Sequence, residues 1–165
     1  MLMGPISRGL AVGLVVACIL SGVAGFFFGT TQSGSKATSN GTPTGITAVE
    51  IYVLQGGTIY LVQSANYSDL QYEWMNCNFL LVCVSGDSVT FTLSAYNNAI
   101  GPNNTPTTIT ISKVDQLSVT SSAASLLSVN PQPPIAFRGV SDSIVFQLDI
   151  EVTGSGSLSV YVSAS

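Results

Sequence analysis

The chain has 165 residues, enough for one ordinary domain, and only 7% of them are charged. Its formal net charge is −4, and Arg8, Lys36, Lys113 and Arg138 are scattered rather than clustered, so no nucleic acid partner is expected. With no histidine, neither a Ser-His-Asp triad nor a Cys–His pair can form, and we expect no enzyme activity, no cofactor and no metal.

The mean hydropathy is +0.49, and part of it comes from one run near the N-terminus. Leu10 to Phe28 carries no charged or amide side chain. As a helix at about 1.5 Å per residue it would roughly match the hydrocarbon thickness of a bilayer. Arg8 precedes the run and the next basic residue is Lys36, which points to an N-terminus inside and a C-terminal domain outside. Three fates are open to the run. It could be a secretory signal with an h-region at Leu10–Ile19, cut near Ser21-Gly22-Val23-Ala24-Gly25. It could be an uncleaved anchor. It could be a class III signal, cut before the apolar helix.

Arg8-Gly9-Leu10-Ala11-Val12 resembles the cleavage context of archaeal type IV pilins and archaellins. The resemblance implies a leader at residues 1–9, a processing site between Gly9 and Leu10, and a helix at 10–28 that packs with its copies in a filament core. Gly13, Gly22 and Gly25 would let such helices approach closely. The specific match is confined to roughly the first 28 residues. The run gives way at once to a Gly-, Ser- and Thr-rich stretch at 29–45, the composition of a flexible linker. In the family the helix usually continues into the head, so here the head would be held more loosely.

From Ile46 the hydrophobic period becomes two, the mark of half-buried strands. Strands are expected at Ile46–Leu54 and Gly57–Gln63, joined by the hairpin signal Gln55-Gly56-Gly57. Ala65 to Cys77 reads as a loop or strap, with Tyr67, Tyr72 and Trp74 as aromatic cover or as a ligand patch. Phe79–Val84 follows, then Val89, Phe91, Leu93 and Ala95 on one face of the next strand. Ile109 and Ile111 alternate with Thr, while Leu117–Thr120 and Ile135–Phe137 are shorter candidates. Ser143–Val152 places Ile144, Phe146, Leu148, Ile150 and Val152 inward, and Ser157–Ser163 repeats the pattern. The expectation is an all-β, immunoglobulin-like antiparallel β-sandwich of seven or eight strands at 46–165, preceded by one hydrophobic helix.

Cys18 has no partner in its neighbourhood. Cys77 and Cys83 are too far apart along one extended strand for a disulfide, so they bond only if the chain turns between them, and are otherwise buried thiols. Asp149 and Glu151 read as a solvated strand face, and Asp87 and Asp142 as turn residues before strands. Sequons at Asn40, Asn66 and Asn103 lie in expected linker or loop and are candidate N-glycosylation sites. The few carboxylates suit an acidic or hot exterior, where few groups would change charge.

These features suggest a structural subunit of an extracellular, pilin-like filament. It would reach the cell surface as a membrane-anchored precursor, polymerise with copies of itself through the apolar helix, and display the sandwich for adhesion to a surface or glycan target. The alternatives are a tethered or secreted β-sandwich binding module, or a strand-exchange subunit after signal-peptidase cleavage, with Val49–Val53 as the better donor segment.

Overall fold

A computed structural model describes residues 45–70 and 81–165. The proposed leader, apolar run and most of the linker, with the sites at Gly9, Leu10 and Asn40, lie outside the described residues, as do Cys18, Tyr72, Trp74 and Cys77.

The described residues are all-β and build two sheets. The strands are β1 (Ile46–Gln55), β2 (Thr58–Asn66), β3 (Val82–Ser85), β4 (Ser88–Ser94), β5 (Tyr96–Ile100), β6 (Pro106–Thr110), β7 (Lys113–Ser121), β8 (Ala124–Asn130), β9 (Ile135–Ala136), β10 (Ser143–Val152) and β11 (Gly156–Ala164). Seven form one sheet in the order β6-β5-β2-β1-β11-β7-β9, and four form the other in the order β3-β4-β10-β8.

Period-two sequence becomes a one-sided core. Val49, Ile51 and Val53 of β1 and Leu158, Val160 and Val162 of β11 are buried from the large sheet. Val89, Phe91 and Leu93 of β4 and Phe146, Leu148 and Ile150 of β10 are buried from the small one. These residues form one cluster, so each sheet hides its apolar face against the other. The register enforces this: Phe91 stands opposite Phe146 and Val89 opposite Leu148, and a slip of one residue would turn the whole apolar set to solvent.

Turns set that register. Gly56 and Gly57 have φ of +57° and +78°, and they close the two-residue hairpin that pairs Gln55 with Thr58. This is the left-handed geometry that hairpin turns favour and that a side chain resists.

Two expectations are corrected. Eleven strands stand among the described residues instead of seven or eight, because amide-rich and bulged segments without clean alternation also pair. The pairing is not wholly antiparallel. β1 runs parallel to β11, from Ile46 opposite Gly156 to Leu54 opposite Ser163. The first strand therefore lies inside the large sheet, with β2 on its other side.

Candidate functional site

The large sheet loses its regularity beside β2. On one side β2 pairs with β1 from Thr58 to Asn66. On the other it meets β5 at a single pair, Leu61 with Ile100. A bulge accompanies the change: Ile51 stands opposite Gln63 and Tyr52 opposite Leu61, leaving Val62 as the extra residue. Bulges bend a strand and re-aim its side chains, and they gather at sheet edges and beside sites. Because β5 and β6 pair fully with each other, they leave β2 as a hairpin.

Two hollows open there. One, of about 480 Å³, lies between Leu61–Ser64 on one wall and Asn98–Ile100 and Pro106–Thr108 on the other. The second, of about 270 Å³, has Ile51, Val62 and Leu93 at its apolar side and Gln63, Thr92, Tyr96 and Asn97 around it. Val62, Gln63 and Asn98 line both, and among the described residues neither lining contains a charged side chain. Asn97 donates from Nδ2 to the Ser94 carbonyl. Thr108 donates from Oγ1 to Asn98 Oδ1 at 3.4 Å. The Thr92 hydroxyl is enclosed and has no hydrogen-bond partner.

A second feature lies on the solvent side of the large sheet. Leu61, Tyr52, Tyr161 and Ser118 form one row across β2, β1, β11 and β7. The Tyr52 and Tyr161 rings stack with centroids 5.1 Å apart and planes 12° off parallel. Parallel pairing places like side chains side by side, so the stack follows from the β1–β11 register. Tyr52 donates from its hydroxyl to Glu50 Oε2 at 2.8 Å. That bond, with partial burial, pushes the Tyr52 phenol up to about 12, since ionisation would set phenolate against carboxylate.

Residues singled out by sequence fall in separate places. Asn66 and Asn103 are both exposed, Asn66 at the end of β2 and Asn103 in the 3-10 turn between β5 and β6, with φ of +59°. Cys83 is buried on β3 and disulfide-bonded; Cys77, the candidate partner in one of the two readings, is outside the described residues. Asp142 closes the turn before β10 by accepting the backbone N–H of Arg138 at 2.8 Å and of Ser143 at 2.9 Å. The Arg138 amide holds its carboxyl below the usual carboxylate range, with the Ser143 amide helping. Asp149 and Glu151 are exposed on β10, and Asp149 accepts from Ser128 Oγ at 2.5 Å. Tyr67 is 51% exposed at the turn after β2. Val49–Val53, the donor segment considered for strand exchange, is occupied as β1 between two partners.

Sequence reasoning passed over Gln63, Thr92, Tyr96, Asn97 and Asn98. A signal existed: an aromatic followed by two amides interrupts the apolar alternation after Ala95. Among the described residues no group of three His, Cys, Asp or Glu could hold a metal ion, and no helix is long and apolar enough to cross a membrane.

The fold defines a two-sheet, β-sandwich-like domain. No protein-family model matches the chain, and comparison with curated proteins and with solved structures finds no match.

Proposed function

We propose that this chain is a structural subunit of an extracellular filament, similar to archaeal type IV pilins, with an immunoglobulin-like sandwich as its displayed head. The leader is cut between Gly9 and Leu10, and the helix at 10–28 leaves the bilayer to pack with its copies, driven by burial of apolar surface. The domain at 46–165 faces outward, and Asn66 and Asn103 are open to glycan transfer.

The observation that carries this reading is the way the head begins. The linker delivers the chain into β1, which lies between β2 and β11 within the large sheet. A domain hung from an inner strand, behind a Gly-, Ser- and Thr-rich segment and an apolar run, is suited to display from an assembled core. A second reading, a tethered binding module, is favoured by the uncharged cleft beside β2.

The test is the mature N-terminus, measured by mass spectrometry on protein recovered from its native surface, with electron microscopy of sheared surface material. The expected result is a chain starting at Leu10, found in filaments. A start near Phe26 removes the helix and overturns the reading. An intact Met1 with no filaments leaves a tethered module.

A further inference from the structure

We propose that the cleft where β5 parts from β2 is a binding site for a neutral saccharide. The proposal concerns the isolated subunit and does not depend on how the chain assembles.

The first argument is the polar groups left over there. Gln63 stands opposite the buried Ile51, so the register puts it on the core-facing side of the sheet, where apolar residues otherwise predominate. It is half-buried and makes no side-chain hydrogen bond among the described residues. The enclosed hydroxyl of Thr92, on the lining of the same hollow, is likewise without a partner. Polar groups taken out of water without partners destabilise a fold. The Thr92 hydroxyl is such a group, and the solvent-reachable Gln63 amide stands at the same hollow, so a ligand, or water held by one, would complete the bonding there.

The second argument is chemical type. Among the described residues the polar side chains of the lining are amides and hydroxyls, set beside the apolar Leu61, Val62, Ile100 and Pro106, with no carboxylate or cation. An amide offers both donor and acceptor, which matches a sugar hydroxyl, itself both. Asn98 has its Oδ1 engaged by Thr108 and keeps its amide N–H groups to donate. Asn97 spends an N–H on Ser94 and keeps its oxygen to accept. Tyr96 is 56% exposed at the rim, an apolar ring with a polar tip of the kind that packs on the C–H face of a pyranose. The larger hollow, at about 480 Å³, lies within the roughly 300–1,000 Å³ range of small-molecule sites.

The third argument separates a saccharide from a peptide. An added peptide strand would be read by a continuous backbone ladder along the outer edge of β2. The Leu61–Ile100 pair interrupts that edge, and Pro106, which lacks an N–H, stands on the facing hairpin. Recognition therefore falls to side chains.

The test is calorimetric titration of the full-length protein, in a detergent without sugar headgroups, with cellohexaose, maltohexaose and mannohexaose. Tetragalacturonate and a peptide of residues 29–45 serve as the acidic and peptide probes. The expected result is saturable binding of at least one neutral hexasaccharide, weakened about tenfold by Gln63→Leu and by Tyr96→Ala. Asn98→Ala, at an exposed position, guards against loss of fold in Gln63→Leu and should weaken binding too. Absence of binding by all three neutral probes overturns the proposal. So does binding that Tyr96→Ala and Asn98→Ala leave unchanged, or tighter binding of the acidic probe or the peptide. Because the titration reads the subunit alone, its failure would leave the filament reading standing, and a mature chain lacking the helix would leave this site standing.

Discussion

Phe91 and Phe146 face each other across β4 and β10, fully buried, with ring centroids 5.3 Å apart and planes 21° off parallel. Neither ring can be truncated without leaving a void, because both sheets close over them. Phe146→Ala should lower the unfolding free energy by about 3–5 kcal/mol, read by urea denaturation. Tyr52 offers a different test, since its folded phenol is raised from 10.0 to about 12, first by the hydrogen bond to Glu50. Below pH 10 the phenol is protonated in both folded and unfolded chains, and the Tyr52–Glu50 bond is intact. Between pH 10 and 12 the unfolded chain loses this proton more readily, so stability falls as pH rises. Glu50→Gln should bring the phenol down towards its ordinary value and remove that part of the alkaline loss. Ultraviolet titration of tyrosinate and thermal melts across this window would show both.

At the scale of the element, legibility followed alternation. β10 runs over Ser143–Val152, the bounds its sequence implies, because its apolar and polar residues alternate almost without fault. β8 was not legible. Ala124-Ser-Leu-Leu-Ser-Val-Asn130 has two adjacent leucines, and the pairing shows why it still forms a strand. Asp149 stands opposite Ser128 and Ile150 opposite Leu126, so Leu127 is the extra residue of a bulge and is 66% exposed. A bulge breaks the period that sequence reading relies on. β5, Tyr96–Ile100, was missed for a different reason: its two asparagines have low strand propensity, and its place is secured by the β6 ladder. The β1–β2 hairpin was legible from its glycines. Gly57 has nothing within 4 Å of where a Cβ would stand, so Gly57→Ala tests backbone conformation without a clash. It should cost about 1–2 kcal/mol, measured as a drop in denaturation midpoint with unchanged slope.

For the whole molecule, composition alone spoke against nucleic-acid binding and histidine chemistry, and pattern alone implied two packed β layers. The cleft was beyond reach, because Gln63, Thr92 and Asn97 are separated in sequence and meet only once β2 bulges and β5 diverges from it on either side of the Leu61–Ile100 pair. The Tyr52–Tyr161 stack was hidden for a similar reason. It needs the first and last strands to be neighbours in parallel register, and nothing local in either strand encodes that pairing.

The same parallel pairing has a mechanical consequence. β1 and β11 run in one direction through eight registered pairs, so Ile46 and Ala164 stand at opposite ends of the two-strand ribbon. The carbonyl of Ser165 accepts from the Ser112 and Lys113 amides at 2.8 and 3.0 Å, which ties the C-terminal end to β7. Tension applied through the linker at Ile46 and opposed at Ala164 acts along the strands, so the β1–β11 hydrogen bonds are loaded together in shear. Pulling at the two ends of a hairpin would instead open its bonds one after another. In a single-molecule pulling experiment, the domain stretched between its termini should yield at a distinctly higher force than when stretched between Thr110 and Ser165.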